Sequence, residues 1–64
     1  MTIAEIKEAV ENGKKVIWIH SSYKVIKDNI GQFLIKHDSG DCIGLTNKAG
    51  DKLNGDESEF FVID

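Results

Sequence analysis

Two histidines and one cysteine are the side chains of this sequence best suited to bind a soft metal ion. His20 and His37 end predicted strands and Cys42 begins one, so that His37, Asp41 and Cys42 could converge across a hairpin turn. A structural zinc site needs about four such ligands, which usually come in closely spaced pairs. Those pairs are missing, and we expect neither a metal nor another cofactor.

The same thiol and imidazoles could in principle form a nucleophile and its general base. Such a pair needs a thiol with a lowered pKa and a third group that orients the base inside a pocket. A chain of 64 residues leaves little room for that pocket. We therefore expect a protein that is not an enzyme.

Charge is divided unevenly along the chain, which has eight lysines, eleven carboxylates, no arginine and a net charge of −3. Residues 14–36 carry five lysines and one aspartate, whereas residues 51–64 carry five carboxylates and one lysine. The absence of arginine and the net negative charge disfavour duplex DNA as a partner. The acidic segment does not fit a calcium loop, because Gly50 and Lys52 stand where Asp or Asn is required.

Five aromatic residues are expected mainly in the core, with one exception. Phe60 and Phe61 are adjacent in a predicted strand and point to opposite faces, so one of them must be exposed, covered by the helix or buried in an interface. An exposed aromatic residue beside the acidic segment is typical of a docking surface for another protein. The candidate interaction surface consists of Trp18, Tyr23, Phe61, Asp56, Glu57 and Glu59.

Two other kinds of partner are compatible with the same residues. Exposed aromatic rings could stack on the bases of single-stranded nucleic acid while Lys24, Lys27 and Lys36 contact its phosphates. Alternatively, the acidic segment could imitate nucleic acid and occupy the basic groove of a target. A net charge of −3 is small for such a mimic.

The elements that must position these residues begin with a helix over about 2–12. Thr2 and Glu5 form a capping box, and Ile3, Ile6 and Val10 recur at the spacing of one helical face. After Gly13 the sequence changes to short β-branched and aromatic runs separated by turn residues. Strands are expected at about 16–20, 23–27, 32–37, 42–46 and 60–63.

The turns at 28–31 and 38–41 are short, so consecutive strands should be antiparallel neighbours in a meander. Val25 and Ile35 fall on one face of the sheet, whereas Ile26 and Leu34 fall on the other. A sheet with two apolar faces either curls into a small, partly open barrel or carries the helix on one face and a partner on the other. Within this sheet, Gly44 is expected to mark a bend or to pack against Trp18.

These elements predict a single α+β domain over residues 1–64, with one N-terminal helix packed on a twisted antiparallel sheet of four or five strands. No apolar run approaches the roughly 20 residues of a membrane helix, and we expect no membrane partner. The lone cysteine and the lack of a secretion signal favour the cytoplasm. A domain this small relies on a compact core or on a partner subunit, so a homodimer is a further expectation.

The runs Tyr23-Lys24-Val25-Ile26-Lys27-Asp28 and Gly31-Gln32-Phe33-Leu34-Ile35 belong to a pattern that spans nearly the whole chain. This pattern resembles that of a group of short uncharacterised proteins from bacteriophages and prophages. The resemblance includes a helix of the Thr-Ile-x-Glu-Ile-Lys type and a tryptophan, Trp18, in the first strand. It implies a phage or prophage setting and carries no functional residue with it. Together with the surface above, it leads us to expect an accessory protein that binds a host or phage protein. The segments that carry the resemblance are 23–28, 31–35, 43–46, 53–55 and 59–61.

Overall fold

A computed structural model describes residues 1–63 as one helix and one five-stranded antiparallel sheet. The predicted α+β fold is confirmed, with most element boundaries within two residues of those expected. A short 3-10 helix at Glu57–Glu59 precedes the last strand. The helix α1 spans Ile3–Glu11, and the strands are β1 (Lys15–Trp18), β2 (His20–Lys27), β3 (Phe33–His37), β4 (Cys42–Gly44) and β5 (Phe60–Ile63).

The predicted capping box starts α1. The Thr2 hydroxyl accepts a hydrogen bond from the Glu5 amide at 3.2 Å, and the Glu5 carboxylate accepts one from the Thr2 amide at 2.8 Å. The bond from the Thr2 backbone N–H, followed by that from its hydroxyl, holds the pKa of Glu5 below its ordinary value. Within residues 1–63 no helix is long and apolar enough to cross a membrane.

The strands lie in the order β4-β3-β2-β1-β5. The first four form the predicted meander, and β5 returns to pair with β1. The alternative of a barrel is wrong, because β4 and β5 form the two edges of an open sheet. At the outer edge of β4, the Asn54 side-chain amide donates to the carbonyls of Gly44 (2.8 Å) and Thr46 (2.9 Å). A loop therefore occupies the edge that closure would require.

One face of the sheet carries the core. Ile6 and Ala9 of α1 pack against side chains that project from this face, and the loop after β4 adds Leu45 and the half-buried Leu53. Burial of each large aliphatic or aromatic side chain contributes about 1.5–3 kcal/mol, so the few that are present dominate stability. The buried residues of the sheet and loop are Val16, Val25, Ile35, Leu45 and Phe60.

The connection between β1 and β2 is a single residue, Ile19, with φ of +69°. A β-branched residue in this left-handed region is strained. The strand register shifts at the same place, between Ile17 and Trp18. The other two hairpins use glycine for positive φ as predicted, with +87° at Gly31 and +101° at Gly40.

The glycine packed against Trp18 is Gly55, and the alternative of Gly44 is wrong. A Cβ at Gly55 would lie 2.5 Å from Nε1 of the indole, whereas one at Gly44 would lie 3.2 Å from the Thr46 carbonyl oxygen. The loop after β4 folds over the helix side of the sheet and brings Gly55 onto the ring. Gly55 and Trp18, which are far apart in sequence, are thus in close contact.

Candidate functional site

The face of the sheet opposite α1, here called the helix-free face, is defined by the strand register. Phe61 lies opposite Ile17 and Ile17 lies opposite Lys24, so these side chains share one face. The same row continues through Lys36 to Cys42. The residues of the two neighbouring rows on this face are Lys15, Ile17, Lys24, Ile26, Leu34, Lys36, Cys42, Gly44, Phe61 and Ile63.

Half of these side chains are apolar. Phe61 is 49% exposed, while Ile17, Ile26, Leu34 and Ile63 are half-buried. The alternation of β-strand side chains places them here, while α1 and the loop after β4 pack on the other face. Within residues 1–63, the second apolar face expected from the sequence is therefore present and has no helix over it.

Two lysines stand directly opposite each other near the middle of this face. Lys24 on β2 and Lys36 on β3 are paired in register, an arrangement in which like charges repel. The Lys24 ammonium has one carboxylate nearby, that of Asp38 at 3.8 Å, and both side chains are more than half exposed. An exposed pair of this kind contributes little to stability. The two lysines therefore concentrate positive potential beside apolar side chains.

Trp18 and Tyr23 lie on the opposite side of the sheet from Phe61. The indole stacks on the buried Phe60 ring with centroids 6.2 Å apart, and it meets the Tyr23 ring edge-on at 5.1 Å. Tyr23 in turn packs against His37 at 4.6 Å. The structure thus keeps Trp18 and Tyr23 together on the helix side and leaves Phe61 as the aromatic member of the candidate surface on the helix-free face.

The acidic members of the candidate surface surround the 3-10 helix. Glu59 is half-buried and its carboxylate accepts hydrogen bonds from the Asp56 amide at 3.0 Å and from the Trp18 Nε1–H at 3.4 Å. Asp56 and Glu57 are exposed, and the Glu57 carbonyl accepts a bond from the ammonium of Met1. Glu59 is therefore engaged within the fold, whereas Asp56 and Glu57 are exposed to solvent.

The lysines proposed to contact nucleic acid are also divided between the two faces. Lys24 and Lys36 lie on the helix-free face, whereas the Lys27 ammonium is 2.9 Å from the Glu11 carboxylate and 5.7 Å from the centroid of the Phe33 ring. Lys27 therefore links β2 to α1. The structure brings together only two of these three lysines.

The soft ligands do not converge. Cys42 lies opposite Lys36 and projects from the helix-free face, whereas His37 lies opposite Tyr23 and projects from the other. The His37 Nδ1 is 2.8 Å from the Ser39 hydroxyl, whose O–H group is 3.4 Å from the Asp41 carboxylate. Across residues 1–63, no group of three or more His, Cys, Asp or Glu side chains is arranged to hold a metal ion.

Sequence reasoning did not include the aliphatic members of the helix-free face in the candidate surface. Ile26 and Leu34 were expected on the face opposite Val25, which the register confirms. Ile17 and Ile63 follow from the same alternation once the pairing of β1 with β5 is known. The alternation of side chains could thus be seen in the sequence, but the pairing of β1 with β5 could not.

Comparison of the chain with protein-family models, with curated proteins and with solved structures finds no match. The geometry of the two faces is therefore the basis on which a function can be assigned.

Proposed function

We propose that this chain is a non-enzymatic binding module that engages another protein through the helix-free face. The observation that carries the proposal is the exposure of Phe61 beside four half-buried aliphatic side chains. Protein interfaces typically have an apolar centre with an aromatic residue, surrounded by polar and charged groups. The helix-free face has both parts.

The charge of the face specifies the partner further. The helix-free face carries Lys15, Lys24 and Lys36, and one carboxylate, that of Asp38, lies beside Lys24. A partner surface that is apolar at its centre and acidic at its rim complements this arrangement. The exposed contact between Lys24 and Asp38 can be exchanged for such a partner at little cost.

The resemblance to short bacteriophage and prophage proteins completes the proposal with a biological setting. The module would act as an accessory protein in the cytoplasm of a bacterial cell, on a protein of the host or of the phage. Genes for phage structural or regulatory proteins beside its own gene would support this setting. A neighbourhood of unrelated chromosomal genes in every genome that carries it would contradict it.

Single-stranded nucleic acid is the second candidate partner, because Lys24 and Lys36 are in register on the same face as Phe61. A base stacked on Phe61 would leave its phosphates within reach of the lysines. Binding of this kind weakens steeply as salt is raised. An acidic mimic of nucleic acid has less support, since the Glu59 carboxylate is already bonded to Trp18 and to the Asp56 amide.

Site-specific photo-crosslinking in living bacteria tests the main proposal. A photoreactive residue at position 36 lies on the helix-free face, whereas one at position 52 is exposed in the loop after β4. We expect a discrete protein adduct from position 36 and none from position 52. Absence of an adduct at position 36 would contradict the proposal.

Charge reversal identifies the surface responsible for the adduct. The double variant Lys15→Glu/Lys24→Glu should abolish it, because both lysines lie on the helix-free face and neither occupies the position of the photoreactive residue. The matched control Lys48→Glu/Lys52→Glu changes the net charge equally, and it should retain the adduct because both lysines are exposed in the loop after β4, outside the strand rows of the helix-free face. Equal loss in both variants would show that the face has no special role. Salt-sensitive retention of single-stranded oligonucleotides, lost in the first variant alone, would instead favour nucleic acid.

A further inference from the structure

The two edge strands of the sheet, β4 and β5, differ in how they are protected from pairing with another strand. The outer edge of β4 is covered at its Gly44 end, because the Asn54 side chain donates to the Gly44 carbonyl at 2.8 Å and the Asn54 amide donates to the Leu45 carbonyl at 2.9 Å. Proteins usually protect edge strands in this way or with charged residues, proline or a bulge. Residues 60–63 of β5 contain no charge and no proline. The second edge therefore lacks the protection that the first one has.

The backbone of β5 offers hydrogen-bonding groups at this edge. Next to the paired residues Trp18 and Phe60, the Ile19 amide donates to the Glu59 carbonyl at 2.8 Å. Because antiparallel ladders alternate, Glu59 and Phe61 point their backbone groups toward β1, while Phe60 and Val62 point theirs away. The amide of Phe60 already donates to the Glu57 carbonyl at the end of the 3-10 helix. Within residues 1–63, no turn, loop or cap residue forms a backbone hydrogen bond with the N–H or C=O group of Val62.

β5 has one exposed apolar side chain on each face of the sheet. Phe61 is 49% exposed on the helix-free face and Val62 is 40% exposed on the helix side. An uncharged strand with an unpaired edge and apolar side chains on both faces is a template for a further strand. The occupant must supply an antiparallel or parallel strand with apolar residues on both of its faces.

We propose that this occupant is β5 of a second copy of the chain, paired antiparallel about a two-fold axis at Val62. Each Val62 N–H would donate to the Val62 carbonyl of the other copy, and Phe61 would lie opposite the other copy's Ile63. This register uses the free groups of Val62 and avoids the amide of Phe60, which is engaged. It also keeps Phe61 and Ile63 together on the helix-free face, as strand alternation requires.

The positions of charge and of α1 favour this arrangement over other dimers. A dimer formed by stacking two helix-free faces would bring the lysines of one copy, Lys15, Lys24 and Lys36, against those of the other. Pairing at the β5 edge avoids this repulsion, because residues 60–63 carry no charge. The helix packs over β1 and β2, so four strand spacings would separate the two helices of the dimer. At about 4.8 Å per spacing this is roughly 19 Å, well above the helix diameter of about 10–12 Å. The result is a continuous ten-stranded sheet with both helices on one side.

Sedimentation equilibrium over low micromolar to millimolar concentrations tests the association. We expect the mass to rise from that of one chain toward twice that value for the unaltered protein. Val62→Lys should remain monomeric, because it opposes two ammonium groups across the axis. Ile30→Lys adds the same charge at a turn residue that is 73% exposed, and it should dimerise like the unaltered protein. A monomer at all concentrations, or a Val62→Lys protein that still dimerises, would overturn the proposal.

Disulfide trapping tests the register. In a Cys42→Ser background, proteins with Phe61→Cys and Ile63→Cys are mixed and oxidised. In a non-hydrogen-bonded pair the two Cα atoms lie about 4.5 Å apart, within the range that a disulfide spans. We expect the mixed dimer to form faster than either homodimer, and equal rates would contradict this register.

This dimer does not rest on the proposed function. The two surfaces share Phe61, but pairing at the β5 edge leaves the helix-free face open where the partner-binding lysines of β2 and β3 lie. The Val62→Lys variant should therefore lose dimerisation and still give the adduct at position 36.

Discussion

The contact between Gly55 and Trp18 makes the substitution Gly55→Ala a stringent test of how the loop after β4 packs. The added Cβ would lie 2.5 Å from Nε1, 2.9 Å from Cε2 and 3.1 Å from Cζ2 of the indole. Non-bonded carbon atoms are most stable at about 3.5–4.0 Å, so the ring or the loop must move by roughly 1 Å. The ring is held by Phe60, Tyr23 and the Glu59 carboxylate, which leaves it little freedom.

We expect Gly55→Ala to lower the free energy of unfolding by about 1–3 kcal/mol, the usual cost of adding a methyl group to a packed site. In a domain of this size each kcal/mol lowers Tm by about 4–8 °C, so the expected loss is roughly 5–20 °C. Circular dichroism, with thermal and urea unfolding, measures both quantities. Gly44→Ala is the matched control, and its milder contact of 3.2 Å with a carbonyl oxygen predicts a smaller loss.

A double-mutant cycle separates this contact from a general intolerance of alanine at position 55. Trp18→Phe removes the edge of the ring that carries Nε1, so the cost of Gly55→Ala should fall in that background. An equal cost in both backgrounds, or a cost below about 0.5 kcal/mol with Trp18 present, would refute the reasoning, since such a change is typical of a substitution that disturbs no packing.

Three further predictions follow from the described contacts. Ile19→Asn should raise the free energy of unfolding by up to about 1 kcal/mol in urea titrations. Asn tolerates the left-handed backbone of this position, which costs other residues about 1–2 kcal/mol. A loss of stability would show that Ile19 is not strained. Asn54→Ala should cost about 0.5–1.5 kcal/mol in the same assay, the usual net contribution of a hydrogen bond, because it removes the donor to the Gly44 carbonyl. No loss would mean that water replaces the amide. The lowered pKa of Glu5 stabilises the fold above the pKa of the unfolded chain, and this contribution is lost as pH falls through the lower pKa of the folded state. Carbon-13 NMR titration should find the Glu5 pKa below its ordinary value, and Glu5→Gln should remove this part of the acid dependence; an ordinary pKa would contradict the capping geometry.

Local patterns in the sequence were sufficient to predict the elements and the two apolar faces. The Thr2 and Glu5 pair marks a helix start because both groups act within one turn. The alternation of Val25 with Ile26 assigns faces to a strand without any knowledge of its neighbours. These signals are local, and the structure confirms them.

The long-range arrangement could not be predicted in the same way. Whether Trp18 and Phe61 share a face depends on which strand β5 joins and in which register, and no short motif encodes that pairing. The choice between Gly44 and Gly55 as the neighbour of Trp18 likewise depends on the path of the loop after β4. The candidate surface was therefore only partly predictable, because the faces of its aromatic members depend on this long-range pairing.

The pairing of β1 with β5 has a consequence for how the chain reaches its native state. The pairs from β1 to β4 join strands that are adjacent in sequence, whereas most of the chain separates Trp18 from its partner Phe60. Closing a loop of that length has a larger entropic cost than forming a hairpin, so contacts of high sequence separation form slowly. We therefore expect docking of β5 to be the late step of folding. Substitutions in β5 should then accelerate unfolding more than they slow refolding, as stopped-flow kinetics would show.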